Sequence, residues 1–276
     1  AKFFLQVGKT DRALEEFQAA LRDDPDNTNI LLGIADAHLA RNNLEEAEKT
    51  IERVLRADPN NVGALIRKAT LLMARAESSR ANRKGELLRQ AVAAYQKAKE
   101  LQPRNKDILK GLAAAYTALQ DIDKIIQAYR EIIRVDPKDT YSTLVLAGVL
   151  ADTGRIQEAI TLYEKVIEDR RGFLTTYLFL GKLYEDTRQL DKAIDTYKRA
   201  LVVDPRNERL RVRFEGALLR KYGEQNPAAI LNEYRKFAEA YPHSSGLQRL
   251  YADRLLSERN YPQAIEQFKK VVELDP

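Results

Sequence analysis

The side chains most able to do chemistry are nearly absent from this chain, which has no cysteine and two histidines in 276 residues. That removes disulfides, thiolate metal sites and cysteine nucleophiles. His38 and His243 are far apart in sequence; they are expected to be structural or solvent-exposed and to share no metal. There is no glycine-rich phosphate loop, nucleophile elbow or HExxH pair. Carboxylates are plentiful, but a catalytic pair needs a dry pocket to raise one pKa, and nothing marks one. These absences point away from an enzyme, other than as an accompanying domain of one. No cofactor, metal or small-molecule substrate is expected.

Charge is what remains, and it is unevenly placed. The chain carries a formal +5. The segment from Arg75 to Arg89 holds a net +3 and that from Arg206 to Lys221 a net +4, so the rest is slightly acidic. Arg80, Arg83 and Lys84 in the first patch, with Arg211 and Arg213 in the second, form a candidate docking site for an acidic partner. A nucleic acid is the weaker alternative, because such grooves interleave aromatics with cations, and here the aromatics recur at places that read as core. A composition of 44% hydrophobic and 32% charged residues suits a soluble folded protein. No run approaches the roughly 20 apolar residues of a membrane-spanning helix, and no charged-then-apolar leader opens the chain. The compartment stays open between cytoplasm and bacterial periplasm.

The elements that must position these charges are set out by proline. Pro25, Pro59, Pro103, Pro137, Pro205, Pro242 and Pro276 follow one another at steps of 34, 44, 34, 68, 37 and 34 residues. The long step is two periods, with Arg171 standing where a proline would fall. Each period holds two stretches of helical spacing. Between Thr175 and Pro205, Tyr177, Leu180, Gly181 and Tyr184 mark one helix face. After the polar break at Asp186–Gln189, Leu190, Ala193, Ile194, Tyr197, Ala200 and Leu201 mark a second. Pro205 then stops the helix, lacking an amide proton and clashing with the preceding turn.

Small residues recur where two helices must approach closely: Ala35, Ala69, Ala113, Ala147, Gly181 and Ala252 in first helices, Ala13, Ala47, Ala91, Ala159, Ala193 and Ala264 in second. A larger residue follows four places after the second set, as Phe17, Ile51, Tyr95, Tyr163, Tyr197 and Phe268. The pattern of Tyr177, Leu180, Gly181, Tyr184, Ala193, Tyr197 and Pro205 resembles the tetratricopeptide repeat, with Tyr in place of its Trp and Phe. The resemblance extends over essentially the whole chain. It implies an all-α fold, a right-handed superhelical solenoid of tandem helix-turn-helix repeats whose first helices line a concave face. It also implies a scaffold or adaptor that binds a protein or peptide partner.

A single array over residues 1–276 is expected, with a partial repeat at 1–25 and repeats at about 28–59, 62–103, 106–137, 140–171, 174–205, 208–242 and 245–276. The repeat at 62–103 is ten residues too long; its surplus, Arg75 to Gly85, is expected as a mobile loop or a short helical extension between its helices. Asn226-Pro227 reads as a helix start and Gly172 as a helix stop. Glu215 stands where a small residue is expected. Neither end shows a polar cap, so the chain reads as a piece of a longer protein, or as one whose ends stack on another copy.

The resemblance also implies which residues face the groove. In the earlier repeats these are Asn29, Leu32, Asp36, Leu39, Ile66, Thr70, Met73, Lys110, Ala114, Thr117, Tyr141, Leu144, Gly148 and Asp152. In the later ones they are Thr175, Leu178, Lys182, Glu185, Arg209, Val212, Arg220, Arg249 and Asp253. The first set offers an apolar strip with polar flanks, suited to an extended peptide or an amphipathic helix; Leu32, Ile66 and Leu144 read equally well as hairpin core. The second set is largely charged. Family members that grip chaperone tails use Lys and Asn, then Asn, then Lys and Arg on three successive first helices, where this chain has Leu32 and Asp36, then Arg67, then Asp107 and Gly111, so that activity is not expected. Nor is the asparagine ladder of sugar-transferase members present. Architectural self-assembly is the remaining alternative.

Overall fold

The computed structural model describes residues 1–169 and 173–275. Among them lie sixteen helices and no strand. The chain divides into two compact units, Ala1–Leu146 and Ala147–Pro276. The first contains α1 (Lys2–Gln6), α2 (Thr10–Asp23), α3 (Thr28–Ala40), α4 (Leu44–Ala57), α5 (Val62–Glu77), α6 (Ala81–Leu101), α7 (Lys106–Leu119) and α8 (Ile122–Val135). Helix α9 (Thr140–Asp152) runs through the division. The second contains α10 (Ile156–Glu168), α11 (Leu174–Asp186), α12 (Leu190–Val203), α13 (Glu208–Tyr222), α14 (Pro227–Ala240), α15 (Ser245–Ser257) and α16 (Tyr261–Leu274).

Each proline stop doubles as the next start. Two residues after it comes an N-cap: Asn27, Asn61, Asn105, Asn207 and Ser244 each accept from a backbone amide of the helix they open. Asp139 does the same for Ser142 at 2.9 Å. Short oxygen-bearing side chains satisfy the free amides of a first turn, typically worth about 1 kcal/mol. One helix thus ends and another begins within four residues, which keeps the period short. Asn226 caps α14 by accepting from Ala229, with Pro227 in its first turn, as expected. The proposed stop at Gly172 and the closing Pro276 lie outside the described residues.

The small residues act as expected: Ala13, Ala35, Ala47, Ala69, Ala91, Ala113, Ala147, Ala159, Ala193, Ala252 and Ala264 are all buried. Gly181 is too, beneath the ring of Tyr197, where a Cβ would collide. Gly33 takes the ring of Phe17 and Gly111 that of Tyr95 in the same way, each from the preceding helix. Side chains four places after the second-helix alanines therefore reach first-helix backbones. Phe17, Ile51, Tyr95, Tyr163 and Tyr197 are buried there, while Phe268 is only half-covered.

In the first unit the core is a chain of small clusters, one around Phe17 and Ile34, one around Leu31, Ile51 and Val54, one around Leu72, Tyr95 and Leu112, and one around Leu109 and Ile132. Such a core grows by one layer per hairpin rather than closing on itself. In the second unit Phe214 packs edge-on against Tyr234, with ring centroids 5.1 Å apart, and meets Phe237 at 5.9 Å.

The surplus segment is helical. Helix α5 runs on to Glu77 and α6 starts at Ala81, leaving only residues 78–80 between them. Ala76, Leu87 and Leu88 are buried, so both extensions cover each other and the mobile-loop alternative does not hold. Arg75, read as part of a free basic patch, forks onto both oxygens of Glu48 at 2.6 and 2.7 Å.

Candidate partner-binding surfaces

Helices α3 and α5 are tied by one guanidinium. Arg67 donates through Nη2 to Asp36 at 2.5 Å, through Nε to the Leu32 carbonyl at 3.1 Å and through Nη1 to the Gly63 carbonyl at 3.0 Å. A planar fork with several fixed donors suits this bridging better than an ammonium would. Beside it lies an open cleft of about 580 Å³, lined by Leu5 and Gln6 of α1, Phe17, Asn29, Leu32, Gly33, Asp36 and Arg67. Three of the expected groove residues, Asn29, Leu32 and Asp36, thus meet at one site. Leu32 belongs to the hairpin core at 9% exposure, so its side chain offers only an edge to the cleft. Leu39 packs on the same core, and Ile66 and Met73 pack half-buried against the next. These three contribute to packing first.

The exposed part of the expected groove in this unit is polar and aromatic. Lys110, Ala114 and Thr117 follow one another along α7 and all face solvent. Lys110 pairs with Asp139 at 3.2 Å, and the Thr117 hydroxyl donates to its own helix at the Ala113 carbonyl. Thr70, also exposed, lies 3.2 Å from the Tyr95 hydroxyl. Tyr141 on α9 is 70% exposed, with Leu144 half-buried one turn on. Gly148 and Asp152, further along α9, belong to the second unit, the former half-buried and the latter exposed.

Charge governs the second unit. Thr175, Lys182, Arg209, Arg220 and Arg249 are exposed, Leu178 and Asp253 half-covered, and Lys182 pairs within its helix with Asp186. Glu185 is engaged from within. Its carboxylate is buried, accepts from the Tyr197 hydroxyl at 2.5 Å and pairs with Arg220. It serves the core even where it borders a cleft on the groove side. Burial and this carboxylate together push the Tyr197 hydroxyl well above the ordinary tyrosine range. Glu215, in place of a small residue, accepts from Tyr234 and Arg254. Burial and Glu215 raise the Tyr234 pKa in the same sense.

Two clefts flank α13. In the one toward α15, about 820 Å³, Arg211 donates to Asp253 at 2.8 Å, and Arg254 bridges Glu215 and Glu258. Arg211, one of the residues of the expected patch, is thus engaged by a carboxylate of its own chain. The cleft toward α11, about 560 Å³, is lined by Glu185, Glu208, Arg209, Val212, Arg213, Gly216 and Arg220. The remaining basic residues, Arg80, Arg83 and Lys84, are exposed at the start of α6 and line none of these clefts.

Among the described residues no cluster of three metal-ligating side chains occurs, and no helix is long and apolar enough to cross a membrane. His38 is half-buried and His243 exposed. Leu5 and Gln6 were not foreseen as site residues; Arg67 stood out only as a departure from the chaperone-tail clamp, and its place one period after Gly33 does not by itself announce an ion pair with Asp36.

Two tetratricopeptide-repeat family models match the chain, one at residues 4–69 and 150–213, the other at 76–140 and 118–175. Among characterised relatives, the Hsp70-Hsp90 organizing protein of Triticum aestivum is 27% identical over 72% of this chain and 39% of its own length. The TPR repeat-containing protein YpiA of Bacillus subtilis is 25% identical over 75% of this chain and 46% of its own. The human protein O-mannosyl-transferase TMTC1 is 24% identical over 58% of this chain and 19% of its own. The chain thus spans less than half the length of each. Among solved structures, YrrB, described as a TPR protein with an unusual peptide-binding site, superposes with a TM-score of 0.54 at 18% identity, covering 72% of this chain and 97% of YrrB. A thermophilic TPR protein of Thermus thermophilus gives 0.51 at 20% identity, covering 79% and 95%. Both likenesses concern the fold. With its paired helices, its buried small residues and both family models in agreement, the chain belongs to the tetratricopeptide repeat family.

Proposed function

We propose that this chain is a non-catalytic scaffold or adaptor, one continuous array whose first helices hold a segment of a partner protein. The observation that carries this reading is the location of three open clefts along first helices: beside α1, α3 and α5, between α11 and α13, and between α13 and α15. Open, partly apolar clefts with fixed polar groups suit a peptide whose side chains act as anchors. The reading is supported by a relative named an Hsp70-Hsp90 organizing protein and by a protein of like fold, YrrB, described as having a peptide-binding site.

Panning a displayed peptide library against the intact chain tests the reading. Enriched peptides should photo-crosslink to benzoylphenylalanine placed at Ala114 or Tyr141 on first helices, and not at Gln90 or Gln127 on second helices, all four being exposed. Crosslinking from the second-helix positions, or no enrichment, would reject it.

A second reading, end-to-end self-association, is favoured by one feature. Tyr261, Ile265 and Val272 are all exposed along one face of α16. Sedimentation across a concentration series should show a dimer that Ile265→Asp abolishes; a monomer throughout removes this reading.

A further inference from the structure

Arg209 and Arg213 stand one turn apart on α13, and among the described residues neither has a hydrogen-bond or ion-pair partner. Their neighbours differ in this respect: Arg211 is held by Asp253 and Arg220 by Glu185. The two free guanidiniums line the cleft toward α11 together with Val212, which is 64% exposed. Glu185 does not compete for them, being already engaged by Tyr197 and Arg220. Glu208 is the one other carboxylate on the cleft, and it lies in the first turn of α13, where a helix's positive end favours it.

Gly216 adds an independent observation. A glycine inside a helix costs stability relative to alanine. At Gly33, Gly111 and Gly181 an aromatic ring occupies the vacated space, but a Cβ at Gly216 would meet nothing within 4 Å. No packing inside the chain explains it, and it opens the helix backbone to the cleft.

We propose that the α11–α13 cleft is a subsite for an extended segment of the partner protein bearing two acidic side chains at alternate positions, held by Arg209 and Arg213 while its backbone crosses Val212 and Gly216. This rests on the scaffold reading above and specifies the chemistry of the partner. Residues four apart on a helix are separated by about 6 Å along its axis, and alternate side chains of an extended strand by about 6.6 Å. Arginine forks bind carboxylates with two parallel hydrogen bonds. No aromatic side chain lines the cleft to stack a base, which favours a peptide over a nucleic acid.

The probes are fluorescein-labelled, C-terminally amidated peptides built on Ser-Gly-Glu-Val-Glu-Gly-Ser, with versions carrying Gln for both Glu or the two Glu adjacent, and an oligothymidylate. Anisotropy titrations with the whole chain at low salt should show the alternating-Glu peptide binding at least about 10-fold tighter than the Gln version, and tighter than the adjacent-Glu version. The double variant R209Q/R213Q should lose this preference, and so should Gly216→Leu, which fills the cleft from an open position. Lys236→Gln, an exposed cation on the second helix α14 and outside the cleft, should change affinity less than about twofold. Circular dichroism checks that each variant is folded. No binding of the alternating-Glu peptide, or equal binding to all variants, overturns the proposal. Tighter binding of oligothymidylate lost in the same variants overturns it in favour of a nucleic-acid site. If library peptides still crosslink to α7 while this peptide fails, only the subsite falls; if both fail, the scaffold reading falls with it.

Discussion

The Tyr197 hydroxyl donates to Glu185 Oε1 across 2.5 Å, with both residues closed off from solvent. A carboxylate in that position needs its donors, since a buried acceptor left short of a partner costs about 1–3 kcal/mol. Tyr197→Phe is therefore expected to destabilise by about that amount in urea denaturation. Tyr163, one repeat earlier, is buried in the same way but its hydroxyl makes no hydrogen bond among the described residues. Tyr163→Phe should fall within about 0.5 kcal/mol of the parent. Equal losses would show that the ring, and not the hydroxyl, accounts for the Tyr197 effect.

Two glycines on neighbouring first helices should respond to alanine with opposite sign. Gly181→Ala forces a Cβ onto the Tyr197 ring and should cost about 1–3 kcal/mol by overpacking. Gly216→Ala enters open space in the interior of α13 and should stabilise by about 0.5–1 kcal/mol through helix propensity. Denaturation midpoints of the two variants measure both, and a shift of the same sign in each would contradict this packing.

His38 gives the chain a pH response above the carboxylate range. Burial lowers its pKa below the ordinary 6.5, with Glu46 opposing and Arg41 assisting. The unfolded chain takes up this proton more readily, so stability present above pH 6.5 is lost as pH falls toward the lowered value. Carboxylates held low by partners, such as Glu48 beside Arg75 and Asp136 beside Lys106, act only further down, below their ordinary 4.5 and 3.8. His38→Phe should flatten the fall in urea midpoint between about pH 7 and 5, and an unchanged slope would assign the response to another group.

The start of α6 carries Arg80, Arg83 and Lys84, with no acidic residue in its first turn and no side-chain cap. Cations oppose the positive end of a helix dipole. Arg83→Glu is expected to raise stability by about 0.3–1 kcal/mol at low salt, with the gain shrinking as salt is added. A loss would mean that Arg83 has a stabilising contact that the dipole does not describe.

Local sequence was enough for the helical period, the turns and the small residues at helix crossings. Pro59, Asn61 and Ala69 act within a few residues of themselves, and a stop, a cap or an absent Cβ has the same consequence in any neighbourhood. The N-caps two places after the helix-stopping prolines were not read from the proline spacing, although they follow the same local logic. Which charges are free was decided by tertiary structure alone. The partners of Arg67, Arg220 and Arg211 lie 31, 35 and 42 residues away, on helices that only stacking brings near. Leu32 went to the core, and Glu185 beneath Tyr197, because the edge of a buried helix face is set by the next hairpin's side chains. The polar surplus after Arg75 became helix for the same reason: two weak apolar faces, around Ala76 and around Leu87 and Leu88, bury each other once they are brought side by side.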